Sequence, residues 1–187
     1  MPHSVPAFFE SYAQLLNRAL SGEDVFSLIE DRFAPQFIAA GPDSLATGKP
    51  GAAFRSLLQR SYRFYRQLGA KKVTSRKVET TQIDPGHALA KVFYCSDHQK
   101  KDGGHVAIEF NVTYLMDLTG ARPKIFAFVS GDEMELYRKH GLIPKLPDHA
   151  PVKPRLGDPT TYARKAPPPA AGRAPAAKAP IRPQVVD

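Results

Sequence analysis

From His105 to Leu118 the chain alternates without a break. Val106, Ile108, Phe110, Val112, Tyr114, Met116 and Leu118 fall on one side; His105, Glu109, Asn111, Thr113 and Asp117 fall on the other. Successive side chains of a strand leave opposite faces, so this is one long antiparallel strand with one face on a core and the other toward water. His87 to Asp97 repeats the pattern, with Ala88, Ala90, Val92 and Tyr94 on one face and Leu89, Phe93 and Cys95 on the other. Asp84-Pro85-Gly86 is a turn, and the Val- and Thr-rich stretch Lys72 to Ile83 before it alternates poorly, which predicts a bulge or a sheet edge. Lys124 to Ser130 is short and apolar on both faces, as a central strand is.

The first half of the chain has a helical period instead. Pro6 to Leu20 places Phe8, Phe9, Tyr12, Leu15, Leu16, Ala19 and Leu20 on one stripe, and Gly22 ends it. A shorter helix is predicted from Glu23-Asp24, carrying Val25, Phe26, Ile29 and Phe33 inward and stopping at Pro35. Gln36 to Gly41 reads as a short strand, and Pro42 to Pro50 as a loop. Ala52 to Leu68 is a strongly two-faced helix, with Phe54, Leu57, Leu58, Tyr62, Tyr65 and Leu68 on one side and Arg55, Arg60, Arg63 and Arg66 on the other. A last short helix, Asp132 to His140, is capped by Gly141.

Three helices before a curved antiparallel sheet resemble the cone-shaped α+β barrel of the nuclear transport factor two-like superfamily, in its polyketide cyclase (SnoaL)-like branch. The most specific part is Phe33-Ala34-Pro35-Gln36-Phe37-Ile38-Ala39-Ala40-Gly41-Pro42, followed by Thr47-Gly48 and Ala52-Ala53-Phe54. The resemblance implies a curved sheet with the three N-terminal helices packed on its concave face. It also implies a homodimer through the open face of the sheet, which carries Glu109, Asn111 and Thr113. A bent sheet covered by helices leaves an interior hollow, and such hollows hold small ligands. The ketosteroid isomerases of this resemblance use an aspartate base on the first strand, a tyrosine of the first helix and a protonated acid on a late strand. Position by position that set fails here. Phe37 to Gly41 has no acid before Asp43, Val112 stands where the late-strand acid falls, and Tyr12 lies about one turn early.

Composition divides the chain. Ten of the 18 prolines follow Pro144, and residues from Lys145 onward carry eight Lys/Arg against three Asp, +5 of the total +8. The expected organisation is therefore a cone domain over 1–144 and a disordered Pro/Ala/Lys/Arg-rich tail over 145–187, too poor in large apolar groups to offset the entropy of ordering. Sparse bases in that tail allow weak, salt-sensitive contact with nucleic acid or acidic surfaces. The single cysteine, Cys95, cannot make an internal disulfide, and its strand position predicts a buried thiol. The N-terminus has neither a basic leader nor an apolar core segment, and no run approaches the roughly 18 apolar residues of a spanning helix. The expectation is a soluble cytoplasmic protein without membrane contact.

Chemistry is carried mainly by tyrosines. Tyr12, Tyr62, Tyr65, Tyr94 and Tyr114 occupy apolar faces, and a buried phenol needs a hydrogen-bond partner. Tyr12, Tyr94 and Tyr114 are the leading candidates for an interior pocket, with Asp43 as the loop acid leaning over its rim. Asp97, His98, Asp102 and His105 gather around one hairpin, but their spacing matches no metal motif and Lys100-Lys101 stand in the same turn. No metal and no cofactor is implied. The expected function is binding of a small, mainly apolar molecule, or a dimeric scaffold role. The alternative is a cofactor-free isomerase, dehydratase or cyclase acting on an apolar ketone.

Overall fold

The computed structural model describes residues 4–144; the expected tail over 145–187 lies outside them. Helix α1 (Val5–Leu20) opens with Ser4 as N-cap, whose hydroxyl accepts from the Ala7 N–H at 3.3 Å. It is followed by α2 (Phe26–Glu30), β1 (Phe33–Gly41), β2 (Ser44–Gly48), α3 (Ala52–Gln67) and β3 (Ala70–Asp84). The chain continues through β4 (His87–Gln99), β5 (His105–Asp117), β6 (Lys124–Ser130) and α4 (Glu133–Lys139). The six strands form one sheet in the order β2-β1-β6-β5-β4-β3. This is the expected α+β architecture, a curved, unclosed sheet with the N-terminal helices over its inner face. It is mixed rather than wholly antiparallel, because β1 and β6 pair in parallel.

The alternation of β5 sets the core. Ile108, Val112, Tyr114 and Met116 are buried, as are Ala88, Ala90, Val92 and Tyr94 on β4, and all but Ile108 join one cluster with Phe8, Phe9, Tyr12 and Leu15 of α1. The edge expected near Lys72 to Ile83 is β3, the last strand of the sheet, with register shifts at three places. Its exposed backbone is partly covered from α1. The Asn17 side chain donates to the Val73 carbonyl at 2.8 Å and accepts from the Val73 N–H at 2.7 Å, so the helix completes hydrogen bonds an edge strand lacks.

Two local expectations fail for identifiable reasons. The second helix is only one turn long, and Phe33-Ala34-Pro35 belong to β1 instead. Pro35 is tolerated there because the β1–β6 pairing is irregular between Phe33 and Ile38, where no proline N–H is required. The Pro42 to Pro50 loop is mostly strand: β2 folds back on β1 around a two-residue turn, pairing Gly41 with Ser44 and Phe37 with Gly48. Gly48 carries no Cβ because one would lie 2.4 Å from the Phe37 ring, which turns inward against Phe33 and Phe54 at centroid distances of 4.7 and 4.9 Å. His98 is opposite Val106 and points inward, whereas His105 is opposite Gln99 and is exposed, so the two imidazoles lie on different faces.

Candidate functional site

Two hairpin partners bring the first pair of phenols together. Ala90 is opposite Tyr114 and Phe110 opposite Tyr94, so the tyrosines sit on the inner face four residues apart along the ladder and lean toward each other. Their hydroxyls meet at 3.2 Å in the core. The small Ala88 and Ala90 beside them, both fully buried, leave the room that two large rings need. Tyr12 descends from α1, stacked on Phe8 at 6.2 Å and edge-on to Phe9 at 6.3 Å, and Phe9 in turn lies 4.6 Å from Tyr114. Tyr62 comes from α3, edge-on to Phe26 at 5.8 Å.

These four phenols form one electrostatic group. Burial pushes the ionisation of each well above the ordinary phenol value, and negative charge on neighbouring phenols adds to the rise at Tyr62, Tyr94 and Tyr114. They are therefore neutral at physiological pH and act as hydrogen-bond donors and acceptors, not as bases. The hydroxyls of Tyr94 and Tyr114 satisfy one another. Those of Tyr12 and Tyr62 have no hydrogen-bond partner among the described residues. Yet no side-chain oxygen or nitrogen there is both sealed and unpartnered. Both hydroxyls thus keep some accessible surface, although each residue is only 7 % exposed.

Asp43 is placed elsewhere. It is exposed in the tight turn between β1 and β2, at the end of the hairpin. The carboxyl that approaches the phenols is Glu133, in the first turn of α4, which accepts from the Tyr65 hydroxyl at 3.2 Å. Tyr65 in turn is edge-on to Tyr62 at 5.6 Å. Burial raises the Glu133 carboxyl above its ordinary value, the Tyr65 hydrogen bond opposes that rise, and the charge of Asp132 adds to it. Sequence reading missed this residue because Asp-Glu at a helix start is the ordinary charge pattern of a first turn, and Asp132 does act as the N-cap, accepting from the Glu135 N–H at 2.8 Å. Only the packing of α4 on α3 distinguishes Glu133.

Other polar groups are structural. The His98 ring accepts from the Ser96 hydroxyl at 3.0 Å or donates to it, and its other nitrogen lies 3.4 Å from the Leu68 carbonyl. Burial holds this imidazole below its ordinary value. Cys95 is buried, as its strand position predicts. Of the α3 arginines, Arg55 pairs with Glu30 at 3.0 Å and Arg66 donates to the Ala19 carbonyl at 2.9 Å, so half of that basic face ties helices together. An open recess of about 420 Å³ lies between α2, the start of β1, Pro50 and Arg55 of α3, and the start of β6. Its charged lining residues are paired, Glu30 with Arg55 and Asp31 with Lys124, and none of the tyrosines reaches it. Among the described residues no helix is long and apolar enough to cross a membrane.

Comparison with known proteins agrees with this architecture. A crystal structure of an NTF2-like protein with a cystatin-like fold from Novosphingobium aromaticivorans superposes with a TM-score of 0.52 at 13 % identity, covering 72 % of this chain and 83 % of that one. A protein of unknown function from Mycobacterium tuberculosis gives a TM-score of 0.52 at 10 % identity, over 67 % of this chain and 68 % of the other. At such identities the likeness is one of fold. No curated protein matches the sequence. The sequence profile of the family described as "NTF2-like protein (DUF6841)" matches residues 3–133. That span contains every helix and strand from α1 to β6 together with Tyr12, Tyr62, Tyr94 and Tyr114, and the chain belongs to this NTF2-like family.

Proposed function

We propose that the cone binds a small, mainly apolar molecule carrying one oxygen function, seated among Tyr12, Tyr62, Tyr94 and Tyr114. The observation that carries this reading is that the hydroxyls of Tyr12 and Tyr62, without a hydrogen-bond partner among the described residues, belong to the same core cluster as the Tyr94–Tyr114 hydrogen bond. Desolvated phenols in an apolar wall select a ligand by its shape and by one or two hydrogen bonds, which suits the polyketide cyclase-like branch of the superfamily. In this reading the compartment is the cytoplasm, with no cofactor.

Calorimetric titration with 2-tetralone, a bicyclic apolar ketone, tests it. The expected outcome is saturable binding that weakens about tenfold in Tyr114→Phe, the equivalent of one lost hydrogen bond of about 1.4 kcal/mol. Absence of binding to the parent, or equal affinity in the variant, counts against the site.

A second reading, dimerisation through the outer face of the sheet, is favoured by a separate observation. Ile38, Leu45 and Val129 stand 44 %, 71 % and 55 % exposed, and the register puts them together on that face, with Ala40 opposite Leu45 and Val129. Light scattering is expected to report twice the chain mass, reverting to one chain mass in the double variant Leu45→Glu, Val129→Glu. A monomeric parent removes this reading.

A further inference from the structure

The open recess between α2, β1, α3 and β6 keeps unused hydrogen-bonding groups beside its ion pairs. Glu30, the last residue of α2, is only 7 % exposed and lines this recess. Its Oε2 accepts from the Arg55 Nε at 3.0 Å. Its Oε1 has no hydrogen-bond partner among the described residues and keeps some accessible surface, since no side-chain oxygen there is both sealed and unpartnered. Arg55 also lines the recess and uses only Nε on Glu30, so both terminal nitrogens of its guanidinium remain as donors. Pro50 and Arg55 bring the recess to the N-terminal end of α3. The first turn of that helix has no side-chain cap and no acid, so it adds positive potential beside the guanidinium. On the far side Asp31 already holds two cations, Lys124 at 3.0 Å and Arg122 at 3.4 Å. Phe33, Pro35 and Pro50 supply apolar wall.

We infer that this recess binds a free α-amino acid with an apolar side chain. The ligand's ammonium donates to Glu30 Oε1, and its carboxylate accepts from the terminal nitrogens of Arg55 at the positive end of α3. Its side chain lies on Phe33, Pro35 and Pro50. The match is one of charge order. An α-amino acid carries a cation and an anion on one carbon, and Glu30 and Arg55 stand as an anion and a cation in contact at 3.0 Å, so the two pairs meet head to tail. A ligand with a single charge is attracted by one member of the protein's pair and repelled by the other. The volume, about 420 Å³, falls within the range of about 300–1,000 Å³ of small-molecule sites. None of the tyrosines lines the recess, so this site stands or falls independently of a ligand inside the cone.

Titration of the full chain with L-phenylalanine, followed by proton–nitrogen correlation NMR, tests this. Saturable shifts are expected at the amides of Ser27, Glu30 and Arg55. Two analogues, 3-phenylpropionate without the ammonium and phenethylamine without the carboxylate, are each expected to bind at least about tenfold more weakly, as the loss of a charge-assisted hydrogen bond requires. Glu30→Gln keeps an oxygen to accept from the Arg55 Nε. It is expected to weaken L-phenylalanine about tenfold without weakening 3-phenylpropionate, a split that a mere tie between α2 and α3 does not predict. Arg55→Gln, at an exposed position, is expected to weaken both of these ligands and keeps the test decisive if the Glu30 variant does not fold. Three results overturn the site: no saturable shift with L-phenylalanine, saturable shifts only at residues away from the recess, or equal affinity for L-phenylalanine and 3-phenylpropionate.

Discussion

Replacing Gly69 with alanine is expected to cost about 4 kcal/mol, which places it among the exceptional single substitutions. Gly69 forms the corner where α3 ends and β3 begins. Its N–H donates to the Arg66 carbonyl at 3.0 Å, and its carbonyl accepts from the Gln99 N–H at 2.9 Å, which joins the corner to the end of β4. Two effects add. The residue has φ +79°, a left-handed conformation that costs a residue with a Cβ about 1–2 kcal/mol. A Cβ there also lies 1.9 Å from the Gln99 carbonyl oxygen, far inside the ordinary contact distance of about 3.5–4.0 Å. The obstruction is backbone, so no side chain can rotate away, and relief requires breaking the Gly69–Gln99 hydrogen bond that anchors β4. The urea midpoint of the variant measures the loss; a shift equivalent to less than 1 kcal/mol would show that the corner relaxes freely.

Phe9→Ala is expected to cost about 3–5 kcal/mol, the range for removing a large buried ring that its surroundings do not refill. Phe9 is fully buried and is the wedge of α1 in the sheet, edge-on to Phe8 at 5.1 Å and tilted on Tyr114 at 4.6 Å. Its neighbours are themselves large rings and β-sheet residues fixed by register, so they cannot collapse into the space. Against the about 5–15 kcal/mol by which domains are stable, such a loss brings the chain close to unfolding at room temperature. Because Phe9 supports the Tyr114 ring, the variant is also expected to bind 2-tetralone more weakly. A midpoint change equivalent to less than 1 kcal/mol would mean that α1 is not wedged into the sheet in this way.

What the sequence made legible follows from strand parity. Period-two alternation places Tyr94 and Tyr114 on the inner face without any structural information, and both are there. Their hydroxyl contact was not legible, because it depends on the offset of β4 against β5, which the Lys100 to Gly104 turn sets through the Lys100–Gly104 and Gly103–Lys100 hydrogen bonds. The β2 hairpin was hidden by composition. Proline and glycine at residues 42, 48 and 50 signal breaks in a helix equally well whether a loop or a short edge strand lies between them. That misreading mattered for Asp43, since a two-residue turn holds it at the tip rather than over a rim. Glu133 was illegible for the opposite reason: its local role in a helix start is complete without any tertiary contact, and only the fold brings Tyr65 to it. Parallel pairing of β1 with β6 likewise depends on where the chain returns after β5, which no local pattern records.

The central claim is that four tyrosines enclose a ligand site inside the cone. It is tested most directly by carbon-13 NMR of the chain labelled at the tyrosine ring Cζ, titrated with 2-tetralone. Seven tyrosines give seven reporters. Saturable shifts at Tyr12, Tyr62, Tyr94 and Tyr114, with Tyr137 unmoved, are the predicted result. A shift at Tyr137 with none at those four, or none at any of the seven, would contradict it.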